Sequence, residues 1–396
     1  MSDTQMDVGR FDDWLKDDSD VAALVMRQWL EPVEGKDAVI FPPTYTLADT
    51  DAGSRFNKGE PVPGVYKGQK GPIGYNIDRF EDGTSVCQID SVGSQANRME
   101  PIFKREKYKH LVPQVIVKAN AREVHLLDAG HRAADAIVRF SDLAEELKKA
   151  FEAIRAGNAV PLAKVAPTSL VFGAWDSRET QVKLPRIVRS VIRAFNVRPL
   201  HRSAQYIPAL SYVEDGLLDA PGNKTEEDSM SQLGLRHAPA PWSHGGVLVE
   251  EIRRDATLNL VALRALFAGK DADPLPLRRY ILGLALVAFT APQETFLREG
   301  CELVPAPSRP AKWFLVKHDG CRDEGFTLSH DEALAYATEA ANDFGVGAAK
   351  VAQFNSDSAN AAIKQSKEER KKSRRAKAKA ESSASDQGAE EEESHE

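Results

Sequence analysis

The sequence of 396 residues has few cysteines and lacks the usual signals of secretion or membrane insertion. Its three cysteines, Cys87, Cys301 and Cys321, lie far apart without a CxxC pair, so neither a zinc site nor a disulfide framework is expected. No apolar run approaches the roughly 18 residues that a membrane span needs. The acidic N-terminus has no apolar signal core, and we therefore expect a cytoplasmic protein.

Catalytic signatures are also missing. The chain contains no GxSxG, P-loop, HExxH or dinucleotide-binding glycine pattern. His125 and His131 flank Asp128, but a turn with ordinary polar side chains explains them better than a metal or an acid–base site. His201 is more readily interpreted as a phosphate contact than as a general acid or base. We therefore expect a protein that is not an enzyme and that needs no cofactor or metal.

Apolar periodicity predicts an α+β fold, with helices packed on one face of a sheet. The predicted helices are 11–30, 141–157, 185–195, 274–290 and 329–345, and the predicted strands include 38–47, 113–119, 167–177, 301–306 and 312–318. Two polar segments rich in Gly and Pro, 53–75 and 214–244, are expected to be long irregular insertions.

The charge of the chain is segregated, although the formal net charge is only -7. Residues 364–379 hold nine cations and two acids, whereas 381–396 hold seven acids and no Lys or Arg. Such blocks are typical of disordered tails, or of a marginal solvated helix for the basic block. We therefore predict an N-terminal acidic helix at 1–30, a folded core at 31–350 and a disordered tail at 351–396.

The densest cationic segment is 183–203, which has no acidic residue. Pro185 suits the first position of a helix, and a helical period would bring Arg186, Arg189 and Arg193 together. The apolar side chains on the opposite side of this predicted helix are Ile187, Val188, Val191, Ile192 and Phe195. Arginines without acidic neighbours indicate an external anion such as phosphate, although a merely solvated face remains an alternative.

Further cations accompany loops and glycines. The loop 53–75 combines cations with aromatic side chains, a pairing that suits single-stranded nucleic acid. The other cationic candidates are Arg98, Arg132, Arg202, Arg253 and Arg254. Together these sites favour RNA binding over any enzyme activity.

Several motifs in a fixed order resemble one family. They are GSRF (53–56), IDSVGSQANRMEPIF (89–103), DAGHRAADA (128–136), PTSLVFGAWDSRE (167–179), KLPRIVRSVIRAFNV (183–197) and GGVLVEEIRRDATLNLVALRAL (245–266). The combination resembles the CRISPR-associated RAMP protein of the type I-G effector, formerly type I-U, which is a backbone subunit of the Cas seven group. The resemblance covers about residues 38 to 345.

The resemblance implies a modified RRM or ferredoxin-like antiparallel sheet with finger- and thumb-like insertions. It implies a non-catalytic subunit that polymerises head to tail along a CRISPR RNA and supports pairing with target DNA and R-loop formation in antiviral defence. Partners would be the CRISPR RNA, the target strand, further copies, a guide-processing subunit, a large subunit and a recruited nuclease-helicase. The motif positions that it places near the guide backbone are Ser54, Arg55, Gln95, Asn97, Arg98, His131 and Arg132.

Two other functions remain open at this point. The chain is alternatively a metal-independent endoribonuclease that processes CRISPR RNA, with His201 or His131 as acid or base. It is alternatively a structural protein whose basic face binds an acidic partner.

Overall fold

The computed structural model describes residues 8–46 and 73–368, and it shows mixed α and β structure around a large antiparallel sheet. The strands of this sheet are β1 (Val21–Pro32), β4 (Ile77–Arg79), β5 (Ser85–Asp90), β8 (Val188–Phe195), β11 (Glu251–Asn259), β12 (Phe296–Arg298), β13 (Cys301–Pro305), β14 (Lys312–Lys317) and β15 (Arg322–Asp323). The smaller sheets are formed by β2 (Thr44–Thr46) with β3 (Ile73–Tyr75), by β6 (Val115–Ala119) with β7 (Arg122–His125) and β16 (Lys350–Gln353), and by β9 (Arg198–Tyr206) with β10 (Ala238–Leu248).

Strand β1 organises the large sheet. Along one edge it pairs with β11, which continues through β8 and β5 to β4. Along its other edge it pairs first with β14 and then, near its end, with β13. All these pairs are antiparallel, so the predicted α+β class is confirmed.

Ten α-helices are labelled here, together with short 3-10 segments. The helices are α1 (Asp12–Leu15), α2 (Val92–Met99), α3 (Ala136–Arg139), α4 (Ala144–Arg155), α5 (Val160–Val165), α6 (Thr168–Phe172), α7 (Lys224–Gln232), α8 (Leu260–Arg264), α9 (Leu275–Thr290) and α10 (His330–Phe344). The 3-10 segments are Val8–Phe11, Glu100–Lys104, Lys109–Leu111, Leu126–Asp128 and Arg132–Ala134. A further helix begins at residue 356 and continues to residue 368, where the described part ends.

Helix α9 forms the centre of the core. Nearly all of its side chains are buried, as its apolar sequence predicts. It packs closely on α10: a Cβ atom at Gly283 would lie only 2.8 Å from the Cα of Ala337. Helix α10 begins at a capping box of Ser329 and Glu332 and is followed by Gly345 at φ +72°. Among the described residues, no helix is both long and apolar enough to cross a membrane.

Three of the predicted elements have the wrong secondary structure. Residues 185–195 were expected to be helical, but 188–195 form β8, because paired strands lie on both of its edges and β-branched residues fill it. The helix predicted at 11–30 is limited to α1, and the rest forms β1, which is also paired on both edges. The strand predicted at 167–177 is instead helix α6, which begins after Pro167 and ends at Gly173, where φ is +78°.

Two predicted irregular regions contain regular structure. The segment 214–244 includes α7 and the first part of β10, which pairs with β9. The tail predicted to be disordered from residue 351 begins with β16, which pairs in parallel with β6 and buries Ala352, and continues as a mostly exposed helix over 356–368. The predicted loop 53–75 lies outside the described residues apart from β3.

Candidate nucleic-acid interface

The alternation of strand β11 separates the large sheet into two faces. Arg254 and Ala256 point to the helix-covered face and are buried, whereas Arg253 and Asp255 on the opposite face are half-exposed. The strand register gives β8 and β1 the same two faces as β11, because Arg193 of β8 and Trp29 of β1 are the direct neighbours of Arg253. Side chains at alternate positions therefore form a continuous surface across the neighbouring strands.

We call this surface the open face. Its charged and aromatic members are Arg27, Trp29, Arg189, Arg193, Phe195, Glu251, Arg253, Asp255, Lys312 and Phe314, and the apolar Val191 lies between Arg189 and Arg193. Five of the named charged and aromatic side chains are cationic, two are acidic and three are aromatic. The open face therefore combines excess positive charge with flat rings, which is the composition suited to a single-stranded polyanion.

Arg189 and Arg193 are the most available cations of the open face. Arg189 is exposed and Arg193 is half-exposed. Within the described residues, neither guanidinium has a hydrogen bond or an ion pair, in contrast to Arg253. Four residues of an extended strand span about 13 Å, so the two side chains project from one face at well-separated points.

Other side chains of the open face are held by their neighbours. Arg253 donates to both oxygens of Asp255 at 2.9 and 3.1 Å, and its Cζ lies 4.6 Å from the centre of the Phe195 ring. Arg27 lies 3.8 Å from Asp255 and covers Phe314. These contacts order the aromatic and cationic side chains before any ligand arrives.

Beneath the sheet, a hydrogen-bonded chain connects several predicted residues. Gln95 donates to Asp90 at 2.7 Å and accepts from Ser190 at 2.7 Å. Arg98 donates to Asp90 at 3.1 Å and to the Leu297 carbonyl oxygen at 2.7 Å. Burial raises the pKa of Asp90, while Gln95 and Arg98 oppose that shift. Gln95 is fully buried, and a direct contact with RNA is therefore not open to it in this conformation.

Arg132 is also buried and is bonded to neighbouring residues of the protein. Its Nε lies 2.7 Å from a carboxylate oxygen of Glu100, and both side chains are almost completely buried. It donates to Asn97 Oδ1 at 3.2 Å and to the Gly173 carbonyl oxygen at 3.4 Å. Burial raises the pKa of Glu100 to about 7, and Arg132 opposes this shift. Arg132 thus joins three of the motif segments from inside the protein.

The remaining predicted residues are distributed over several places. Asn97 and His131 are exposed near the Glu100–Arg132 pair, and Arg186 is exposed beside Gly173. Arg202 is exposed on β9, with its Cζ 5.7 Å from the ring centre of Phe41. Ser54 and Arg55 lie outside the described residues.

The histidines near Asp128 have ordinary structural contacts. His125 bonds to Gln114 at 3.1 Å and accepts from the Leu127 amide at 3.2 Å, and its burial lowers its pKa. Asp128 pairs with Lys104. Within residues 8–46 and 73–368, no cluster of three or more His, Cys, Asp or Glu side chains has the arrangement of a metal site. These contacts match the interpretation of a structured turn.

Sequence reasoning missed the contribution of β1 and β14 to the open face. Arg27 and Trp29 stand two residues apart, which is the spacing of one strand face. That signal was present in the sequence, but a helix predicted over 11–30 places the two side chains on different sides. Lys312 joins them only through the pairing of β14 with β1.

One family comparison covers part of the chain. Residues 24–199 match the model of a family described as CRISPR-associated protein GSU0053. The matched segment is less than half of the chain and includes β1, β5, β8 and the Glu100–Arg132 pair. It supports the prediction of a CRISPR-associated protein, but it does not identify the subtype or a RAMP protein.

A comparison with solved structures gives a weaker likeness. The chain is similar to one in a structure titled "CRISPR RNA-guided surveillance complex, pre-nicking", with 11% sequence identity and a TM-score of 0.31. The similarity covers 82% of this chain and 90% of that one. A score this low carries no argument about fold or function. A comparison with curated proteins finds no match.

Proposed function

We propose that this protein is a non-catalytic RNA-binding backbone subunit of a CRISPR effector complex, of the RAMP type found in the type I-G class. The observation that carries the proposal is the open face, where Arg189 and Arg193 lack acidic partners among the described residues. The partial family match supports the same class of protein.

The order of elements supports an RRM-like core. Along the chain, β1 is followed by helices, then by β8 and β11, then by α9 and finally by β14, which is a β-α-β-β-α-β order. In space these strands lie in the order β14–β1–β11–β8. The segments between them, including β9 and β10, would form the finger- and thumb-like insertions.

The chemistry of the open face favours the RNA backbone over base edges. A guanidinium offers a planar set of donors that suits phosphate, and it remains charged at neutral pH. Arg309 lies over the Trp29 ring and Arg253 over the Phe195 ring, and a base of any sequence would stack on these planar groups or displace them. Such a surface accepts a guide of any sequence and leaves pairing edges available for a target strand.

Assembly extends this proposal. Copies of the chain would follow one another head to tail along the CRISPR RNA, since a heterologous interface that does not close produces a filament. The filament would bind the target DNA strand and the other effector subunits in the cytoplasm. Guide processing and target cleavage would belong to those other subunits.

Fluorescence anisotropy with a labelled single-stranded RNA tests the open face. The double variant Arg189→Gln/Arg193→Gln should bind more weakly than the wild type. The slope of log affinity against log salt concentration should be smaller in magnitude by about 1.4, which is about 0.7 for each lost phosphate contact. The control Arg122→Gln/Lys149→Gln removes the same charge from exposed positions on β7 and α4. Equal effects of the two double variants would overturn the proposal for this surface.

The two alternatives give different results. Specific cleavage of repeat RNA that is abolished by His131→Ala or His201→Ala would replace the proposal with an endoribonuclease. Purification from cells without nucleic acid but with an acidic protein would favour the structural alternative.

A further inference from the structure

A cavity of about 390 Å³ lies on the helix-covered side of the large sheet, next to the end of α9. We call it the Arg254 cavity. Residues that line it include Met26, Gln28, Gln95, Arg254, Phe289 and Trp313. This volume is within the range of sites that bind small molecules, and the wall is mainly apolar with a few polar groups.

Arg254 is the polar side chain that distinguishes this cavity. It is only 3% exposed, and its Nε donates to Ser190 Oγ at 3.0 Å while its Nη1 donates to Gln28 Oε1 at 3.3 Å. Its Nη2 is buried and has no hydrogen-bond partner among the described residues. Both of its acceptors are neutral, so the hydrogen bonds do not balance the charge.

The neighbouring carboxylates are already engaged with other cations. Asp90 accepts from Gln95 and from Arg98. Glu294, which also lines the cavity, pairs with Arg105 at 3.3 Å. Within the described residues, Arg254 therefore has no acidic partner of its own.

A buried guanidinium without a counter-charge is unfavourable. Burial lowers the pKa of Arg254 to about 10, which still leaves the side chain charged at neutral pH. Removing such a charge from water costs free energy unless an opposite charge compensates it. Because the Arg254 side chain lines an apolar cavity and its charge has no acidic partner among the described residues, an anion bound in the cavity would compensate that charge.

We propose that the Arg254 cavity binds a small molecule that carries one phosphate or carboxylate group on a flat apolar body. The anionic group would lie next to the Arg254 guanidinium and compensate its charge, with Gln28 and Gln95 beside it. The body would lie against Phe289 and Trp313, whose rings meet edge to face at 5.3 Å. This site lies on the opposite side of β11 from the open face, and the inference does not depend on RNA binding.

Thermal unfolding of the full chain with defined probes tests this site. The probes are adenosine monophosphate, benzoate and inorganic phosphate, with uncharged adenosine and benzamide as matched neutral compounds. An anionic probe at 100 times its Kd should raise Tm by about 3 °C, and its neutral counterpart should not. The probe that gives the largest shift shows whether phosphate or carboxylate is preferred and whether the ring contributes.

Two variants connect the shift to the cavity. Arg254→Met replaces the guanidinium by an apolar chain of similar length and should abolish the response to every anion. Ala311→Phe fills the cavity from its wall without altering Arg254 and should have the same effect, so the test stands even if Arg254→Met does not fold. Arg122→Gln, on the exposed strand β7, should respond like the wild type. An equal shift in Arg254→Met and wild type, or no shift with any anionic probe, would overturn the proposal.

Discussion

The Glu100–Arg132 pair permits a direct test of whether a motif arginine stabilises the fold or contacts RNA. Arg132 and Glu100 have side chains that are 5% and 2% exposed, and their charged atoms lie 2.7 Å apart. Breaking a buried pair from one side leaves the other charge unbalanced, which typically costs about 3–5 kcal/mol. We therefore expect Arg132→Met to lower the free energy of unfolding by that amount at pH 8, where Glu100 is ionised. Arg186→Met, at an exposed neighbouring position, should change it by less than about 0.5 kcal/mol.

Urea denaturation of the single variants and of Glu100→Gln/Arg132→Met measures the coupling between the two charges. The double variant should be less destabilised than the sum of the single ones, by about 1–3 kcal/mol. Because burial raises the pKa of Glu100 to about 7, the coupling should be smaller at pH 6. The raised pKa also means that wild type should lose stability relative to Glu100→Gln as the pH rises from about 4.5 through about 7. If Arg132→Met unfolded like wild type but bound RNA more weakly, the structural role would be refuted and the predicted RNA contact supported.

Two further predictions concern helix α10. Gly283→Ala should lower the free energy of unfolding by about 1–3 kcal/mol, because the new methyl group would meet the backbone of Ala337. The cost of this contact should exceed the gain from the higher helix propensity of alanine. Unfolding by urea measures the difference, and an increase in stability would contradict the close packing. Ser329→Ala should cost about 1 kcal/mol by thermal unfolding at pH 7. The amide and hydroxyl of Ser329, together with Arg10, lower the pKa of Glu332 to about 2. The stabilisation from the bond between the hydroxyl and the Glu332 carboxylate is therefore present above pH 4.5 and lost toward pH 2, whereas the bond from the Glu332 amide to the hydroxyl does not titrate. A cost of Ser329→Ala that was equal at pH 7 and at pH 2 would contradict the carboxylate part of the cap.

The prediction that Arg186, Arg189 and Arg193 share one helical face is wrong for Arg186, which precedes β8 and lies beside Gly173. Arg189 and Arg193 are four residues apart, which places them on one side of a helix and also on one side of a strand, because four is close to a helical turn and is a multiple of two. The apolar side chains do not divide in the same way, because Val191 and Phe195, which a helix places opposite the arginines, share the arginine face of the strand. What decides for a strand is the pairing with β5 and β11, segments that are about 60 to 100 residues away and whose register no local pattern reveals.

The adjacent residues Arg253 and Arg254 show what local reasoning could not separate. Both belong to one cationic dipeptide, and both were predicted to contact RNA. In β11 they point to opposite faces, so Arg253 orders the open face and Arg254 is buried in the cavity. A strand prediction for this segment implies that only one of them faces outward, but it does not say which, because that depends on where the helices pack.

The motif segments contain both buried polar residues and accessible cations in this fold. The residues that carry the family resemblance include Gln95 and Arg132, whose buried hydrogen bonds hold α2, the 3-10 segment at 132–134 and the end of α6 together. Arg189 and Arg193 make no such contacts among the described residues, so no hydrogen bond or ion pair there uses their charge to stabilise the fold. A bound polyanion would supply such a partner. On the proposed function, substitutions at the buried positions should change stability first and those on the open face should change RNA affinity first.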